Sequence, residues 1–167
     1  MIRCFAVVLF SLLSFASLTS AGELPRPKEA VILTVIGKVA NRNGPEGASF
    51  DAAMLQALPG RTTVTNTPWY PKKTSFEGPL GAALLDAVGA TGTTLRVTAL
   101  NDYAVEIPAS DFRSWPVILA TKIDGAPISV REKGPIFVIY PFDEKPELYN
   151  ELYFGRSAWQ VKTIEVR

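Results

Sequence analysis

The sequence predicts an α+β domain in which mixed β-sheets are accompanied by two short helices. Three observations lead to this class. Short segments rich in β-branched residues recur along the chain, turn-forming residues separate them, and apolar residues recur at helical spacing in only two places. No internal repeat, low-complexity tract or linker interrupts this pattern, so a single domain is expected over residues 31–167.

The first 21 residues predict a secretory signal peptide, because Arg3 precedes an apolar run over 5–13 and small residues follow at 19–21. The absence of an Arg-Arg pair in this segment indicates export of an unfolded chain. Residues 22–30 form a Pro- and charge-rich extended lead-in. We expect a periplasmic or secreted protein that does not span the membrane after the signal peptide is cleaved.

The first half of the domain contains both predicted helices. The expected elements are, in order, a strand over 31–40, a turn over 41–48, a helix over 51–58, a strand over 61–67, an aromatic and basic loop over 68–76, and a helix over 79–88. Ser49 is the expected N-cap of the first helix, and Gly89 is the expected end of the second.

The second half of the domain is dominated by predicted strands. The expected elements are a hairpin of strands over 94–100 and 103–107, a turn or one-turn helix over 110–112, a strand over 117–123, a strand over 128–130, a central strand over 136–140, a polar segment over 144–153 with a turn of helix, and a last strand over 161–166. Asn101-Asp102 and Asp124-Gly125 are the predicted hairpin turns.

Composition excludes several classes of function. The chain has no histidine, and its one cysteine, Cys4, lies in the predicted signal peptide. The mature protein therefore lacks a Cys nucleophile, a Ser–His pair, a Cys/His zinc site and a disulfide. Without Arg3, the 17 Lys and Arg residues fall to 16 and equal the 16 Asp and Glu residues. Nucleic-acid binders normally carry a basic excess, so we expect no nucleic-acid partner.

Several short segments occur in an order that carries a family resemblance. They are FEGPL at 76–80, ALNDY at 99–103, IP at 107–108, LA at 119–120, DGAPI at 124–128, GP at 134–135, IYP at 139–141, WQVK at 159–162 and IEV at 164–166. The ordered set resembles the molybdopterin-binding domain of the sulfite oxidase-type oxidoreductases. It is more similar still to a small exported branch of that superfamily, and it covers residues 31–167.

This resemblance implies a groove that holds a pterin dithiolene with molybdenum, ligated in the catalytic members by a cysteine. The position of that cysteine falls at or next to Thr65, whose neutral hydroxyl is a poor ligand for such a metal. Catalytic members often place His and Arg around the glycine that corresponds to Gly134, where this chain has Lys133 and Ile136. Exported catalytic relatives typically carry a twin-arginine signal. We therefore expect no catalytic or metal-ligating residue and no cofactor, although the resemblance leaves molybdopterin open.

Eight residues are candidates for contacting a ligand in this groove. They are Thr65, Asn66, Trp69, Asn101, Tyr103, Arg131, Lys133 and Arg156. An aromatic loop with lysines can stack on a planar group and hold an anion. A basic turn with free N–H groups can hold a phosphate or carboxylate, and an arginine beside an aromatic offers a planar fork. Each segment also suits a purely structural role.

Three functions follow from this sequence. The first is a binding module without metal catalysis, which binds a small anionic or planar ligand or a membrane sensor protein. On this hypothesis, Trp69→Ala abolishes a ligand-dependent fluorescence change without unfolding the domain. The second is an oxidoreductase that retains the molybdenum cofactor through the dithiolene and solvent or Thr65. The third is an interaction protein with a filled groove, which an inward-pointing Phe137 would favour.

Overall fold

The computed structural model describes residues 24–167, so the predicted signal peptide lies outside the described residues. The strands in this range are β1 (Leu33–Gly37), β2 (Ala48–Phe50), β3 (Gly60–Thr67), β4 (Tyr70–Pro79), β5 (Thr94–Ala99), β6 (Ala104–Pro108), β7 (Ile118–Ala120), β8 (Lys122–Ile123), β9 (Ala126–Pro127), β10 (Phe137–Ile139) and β11 (Val161–Val166). The helices are α1 (Ala52–Ala57), α2 (Gly81–Ala87), α3 (Ala109–Ser114) and α4 (Glu151–Arg156), with a 3₁₀ turn at Pro146–Leu148.

The described strands form three sheets. The largest has the strand order β2-β1-β11-β5-β6, and it is mixed because β1 runs parallel to β11 while the other neighbours are antiparallel. A four-stranded sheet has the order β3-β4-β8-β9, and β7 pairs antiparallel with β10 in a two-stranded sheet. The predicted α+β class with mixed sheets is confirmed.

The two-stranded sheet lies between two hydrophobic cores. Val138 and Tyr140 belong to the larger core with the inner face of the five-stranded sheet, whereas Phe137 and Ile139 belong to a smaller core with Phe76 of β4. Strand β10 is therefore buried on both faces, which explains why its sequence is a continuous apolar run rather than an alternating one. The predicted strand over 136–140 is present as β10 over 137–139, but it belongs to a two-stranded sheet and is not the central strand of a larger one.

The prediction of an aromatic and basic loop over 68–76 is wrong beyond its first two residues. Residues 70–79 form β4, the longest strand of the described range, which pairs along β3 with Thr65 opposite Thr74. Thr74 and Phe76 are buried while Lys72 and Lys73 are exposed, so the strand has an inner face despite its polar composition. Pairing with β3 provides hydrogen-bond partners for the backbone N–H and C=O groups of β4, and these partners cannot be recognised from the sequence of the segment itself.

The first helix is capped by Asp51 and not by the predicted Ser49. The Asp51 carboxylate accepts hydrogen bonds from Met54 N and Lys28 N at 2.8 Å each, so it closes the helix end and fastens the lead-in. These bonds to backbone N–H groups, led by that of Met54, hold the pKa of Asp51 below its usual value. Ser49 instead lies in β2, a strand that the sequence did not predict.

The helices of the described residues are short. Two of them match the predicted pair, α3 extends the predicted turn at 110–112, and α4 begins within the polar segment 144–153. The longest helix among residues 24–167 has seven residues, and no helix in that range has the length and apolar character to cross a bilayer.

Both predicted hairpin turns are present. Asp102 has a φ of 65° between β5 and β6, and Asp124 and Gly125 have φ values of 48° and 82° between β8 and β9. Two consecutive positive φ angles match the right-handed twist of the flanking strands. The second hairpin returns through 126–127 rather than through the predicted strand at 128–130, and the predicted strand at 117–123 is divided into β7 and β8.

Candidate functional site

An aromatic groove contains three of the residues that the sequence predicts for a ligand site. It has a volume of about 450 Å³. Its lining consists of Trp69, Ala99, Asn101, Tyr103, Glu151, Phe154, Gly155, Ser157, Ala158 and Trp159. We refer to these ten residues as the aromatic groove. This volume lies in the range of small-molecule sites, and its lining combines aromatic walls with a few polar groups.

Three structural elements meet at the aromatic groove. Trp69 lies in the turn between β3 and β4, Asn101 and Tyr103 lie at the turn between β5 and β6, and α4 contributes Glu151 and Phe154. The side chain of Asn101 accepts a hydrogen bond from the backbone N–H of Tyr103 at 3.2 Å, which fixes the hairpin tip beside the groove. The fold therefore brings residues from three distant parts of the sequence together at the groove.

Trp69 is the centre of the aromatic wall. Its ring centroid lies 5.2 Å from that of Phe137, 6.0 Å from that of Phe154 and 6.1 Å from that of Trp159, all in edge-to-face geometry. Trp69 also packs against both hydrophobic cores, so it has a structural role besides its place in the lining. Trp159 is 39% exposed and Tyr103 is 55% exposed, so these two side chains form the accessible rim.

Phe137 lies behind the wall rather than in the groove. Its side chain is fully buried and packs edge-on against Trp69, Trp159 and Phe76. It therefore supports the aromatic wall from the smaller core and leaves the cleft open. An inward-pointing Phe137 was the feature that would favour a filled groove, but its ring is directed at other rings and does not line the cleft.

Thr65 and Asn66 surround Asp143 and do not line the aromatic groove. The Thr65 hydroxyl accepts a hydrogen bond from Asp143 N at 3.0 Å and donates one to Asp143 Oδ1 at 3.2 Å. Asn66 N donates to the same oxygen at 3.0 Å, and Lys73 Nζ lies 2.9 Å from Oδ2. Burial raises the pKa of Asp143, but the hydrogen bonds from Lys73, Asn66 and Thr65 outweigh it and hold the pKa below its usual value.

Lys133 and Arg131 lie in the loop before β10. Lys133 Nζ lies 4.8 Å from the ring centroid of Trp159, in cation–π contact with a residue of the groove lining. Gln160 fastens this loop, because its side-chain Nε2 donates to Val130 O at 2.6 Å and its backbone N donates to Lys133 O at 3.0 Å. Arg131 is exposed and does not line the groove.

Arg156 is engaged in a buried polar network. Its Nη1 donates to Asp111 Oδ2 at 2.9 Å, and the Tyr140 hydroxyl donates to the same oxygen at 2.9 Å. Burial raises the pKa of Tyr140 far above its usual value, and the Asp111 charge adds to the effect. The Arg156 guanidinium also lies 5.3 Å from the ring centroid of Tyr153. The network ties α4 to α3 and to the chain after β10.

The structure thus brings together three of the eight sequence-predicted residues, Trp69, Asn101 and Tyr103, and places Lys133 against the wall they share. The other seven lining residues were not predicted, among them Glu151, Phe154 and Trp159. Glu151 lies in the segment over 144–153 that the sequence predicts to be polar, and Phe154 and Trp159 follow it. The signal that could have found them is the density of aromatic residues between 149 and 159.

The residues around Thr65 do not fit the molybdenum ligation that the family resemblance implies. Thr65 is 1% exposed, and its hydroxyl is already bonded on both sides to Asp143. A neutral hydroxyl is a hard donor and is not a substitute for a thiolate. Residues 24–167 contain neither Cys nor His, and no cluster of three potential ligand side chains occurs among them.

Comparison with known proteins supports the fold and not an activity. No family model matches the sequence, and no curated protein does. The structure is similar to the crystal structure of the sulfane dehydrogenase SoxCD from Paracoccus pantotrophus, with a TM-score of 0.59 and 15% sequence identity. The match covers 87% of this chain and 40% of that chain, so this chain spans less than half of the enzyme's length. The likeness supports a sulfite oxidase-like fold. Because the sequence identity is only 15%, the likeness shows the fold alone.

Proposed function

We propose that this protein is a ligand-binding module that uses the aromatic groove and has no molybdenum catalysis. The observation that carries this proposal is the open cleft of about 450 Å³ walled by Trp69, Tyr103, Phe154 and Trp159. Aromatic rings offer flat, rigid contact surfaces for a small planar ligand at low cost in side-chain entropy. The polar groups of Asn101 and Glu151 can orient such a ligand.

The second part of the proposal is that the ancestral cofactor site has been converted into a structural contact. The Thr65 hydroxyl connects β3 to the chain after β10 through Asp143, where the catalytic relatives are implied to hold a metal ligand. A side chain committed to two hydrogen bonds at 1% exposure is suited to holding the fold. We therefore propose that no protein group ligates molybdenum in this chain.

The proposal also includes export and one further candidate partner. The predicted signal peptide supports a place outside the cytoplasm. The rim of the groove exposes Tyr103 and Trp159, and Leu152 beside Glu151 on α4 is also exposed. A membrane sensor protein, the alternative partner expected from the sequence, would contact the protein at this exposed rim.

The first experiment measures the molybdenum and pterin content of the protein isolated from its native exported fraction. We expect neither. Near-stoichiometric molybdenum would support the alternative oxidoreductase that keeps its cofactor without a cysteine ligand, and it would refute the absence of metal catalysis. Pterin without metal would identify a cofactor carrier or sensor.

The second experiment tests the groove with ligands of known charge. Titration calorimetry uses pterin-6-carboxylate as a planar anion and choline as a small cation. Tyr103→Ala and Trp159→Ala remove exposed rim aromatics and should weaken binding of whichever probe binds. Trp115→Phe is the matched control, because Trp115 does not line the groove and should leave the affinity unchanged. Loss of binding in the control, or unchanged binding in both rim variants, would refute the groove assignment.

A further inference from the structure

We infer that the aromatic groove selects an organic cation, a small molecule that carries a quaternary or methylated ammonium group. This inference rests on the proposed function, since it names the class of ligand for the same groove. It differs from the sequence-based expectation of an anionic ligand, and the difference comes from which charged residues the fold brings to the groove.

The groove lining contains one charged side chain, and that side chain is acidic. Glu151 is exposed at the start of α4, and no Lys or Arg lines the groove. Among residues 24–167, no basic group pairs with the Glu151 carboxylate. A carboxylate at an aromatic cleft attracts a cation and repels an anion. The unpaired charge of Glu151 therefore favours a positively charged ligand.

Two basic residues that are near the groove in sequence are paired with carboxylates of the fold. Arg156 is paired with Asp111 at 2.9 Å, and Lys162 is paired with Asp102 at 2.6 Å. Each of these two cations therefore already has a carboxylate partner within the fold. Lys133 is the cation that lies against the wall, over the Trp159 ring, and the groove lining itself contains no Lys or Arg that could hold a phosphate or carboxylate.

The aromatic rings supply the second attraction for a cation. Indole and phenol rings present electron-rich faces that bind ammonium groups, and several such rings around a small cleft form a cage for a methylated ammonium. Trp159 already makes this interaction with Lys133, whose Nζ lies 4.8 Å from the ring centroid. The same lysine is a competing positive charge, so its removal should strengthen the binding of a cation.

The decisive experiment compares choline with 3,3-dimethylbutan-1-ol, its uncharged isostere, by titration calorimetry on the intact protein. The two ligands have the same shape and differ in charge. We expect choline to bind at least about tenfold more tightly, because the neutral ligand makes neither the cation–π nor the carboxylate contact. Equal affinity for the two ligands would refute the inference.

Two variants assign the effect to named residues. Glu151→Gln should weaken choline binding about twofold to fivefold, since it removes the charge of an exposed carboxylate without removing volume. Glu147→Gln is the matched control, because Glu147 is also exposed but does not line the groove. Lys133→Met should strengthen choline binding, whereas weaker binding in this variant would contradict the inference.

The outcomes separate this inference from the proposed function. Binding of pterin-6-carboxylate without binding of choline would overturn the choice of a cation and leave a ligand-binding groove. If neither probe binds at millimolar concentration, both the choice of a cation and the proposed ligand-binding function are refuted. Choline binding that is weakened in Glu151→Gln and unchanged in Glu147→Gln would support both.

Discussion

The ion pair between Arg156 and Asp111 tests how strongly burial increases the contribution of a salt bridge to the free energy of unfolding. The side chain of Arg156 is 18% exposed and that of its partner Asp111 is 9% exposed, with an N–O distance of 2.9 Å. Replacing Arg156 with Met keeps the apolar stem and leaves the Asp111 carboxylate buried with only the Tyr140 hydroxyl as a strong donor. Removing one partner of a buried ion pair costs about 3–5 kcal/mol, and the residual exposure of Arg156 favours the lower end, about 3 kcal/mol.

The chain contains a matched control for this variant. Arg113 and Asp86 are also joined at 2.9 Å, but their side chains are 46% and 68% exposed. An exposed pair contributes only about 0–1 kcal/mol because water screens both charges. Arg113→Met therefore changes the same kind of residue at the same distance, and burial is the variable that differs.

Urea denaturation followed by circular dichroism measures both free energies of unfolding. For a domain of this size, a loss of about 3 kcal/mol corresponds to a fall in Tm of about 10 °C. Arg156→Met combined with Asp111→Asn should recover part of the loss, since a buried amide costs less than a buried carboxylate. Equal stability of Arg156→Met and Arg113→Met would refute the reasoning, because burial would then have no effect.

Two further predictions concern the buried threonines of β3 and the Asp143 carboxylate that Thr65 contacts. The hydroxyls of Thr63 and Thr67 have no hydrogen-bond partner among the described residues, so Thr63→Val and Thr67→Val should each stabilise the domain by about 1 kcal/mol. Thr65→Val, the control on the same face, should destabilise it by about 1–2 kcal/mol because Asp143 N loses its acceptor; the same sign for all three variants would contradict this account. The lowered pKa of Asp143 predicts a contribution to stability that is present above the ordinary aspartate pKa of 3.8 and is lost as the pH falls through the folded-state value. Urea midpoints between pH 2 and 7 should therefore decline less steeply on the acid side in Asp143→Asn, and identical pH profiles would refute this assignment.

Much of the fold follows from local signals in the sequence. The hairpin turn at Asp124-Gly125 is determined locally, because Asp and Gly tolerate the positive φ angles that the turn requires. Helix α2 is likewise determined by apolar residues at helical spacing, followed by Gly89 with a φ of 59°. The apolar run over 136–140 can be satisfied only by burial on both faces. For these segments the cause lies within a few residues, so the class α+β was predictable.

The candidate site depended on contacts between distant parts of the chain. A polar segment became strand β4 because β3 provides its hydrogen bonds, and the sequence of that segment alone favours a loop. Arg156 reads as a ligand fork beside an aromatic, but the buried Asp111, which is 45 residues away, holds its guanidinium. Whether a charged side chain binds a ligand or a neighbour depends on which opposite charge the fold brings within hydrogen-bond distance. The sequence by itself determined the α+β class, the two hairpin turns, helix α2 and the lack of Cys and His in residues 24–167, because each depends on residue type or on neighbours in the chain. Only the tertiary structure decided strand β4 and which charges face the groove, because both depend on partners that are distant in the sequence.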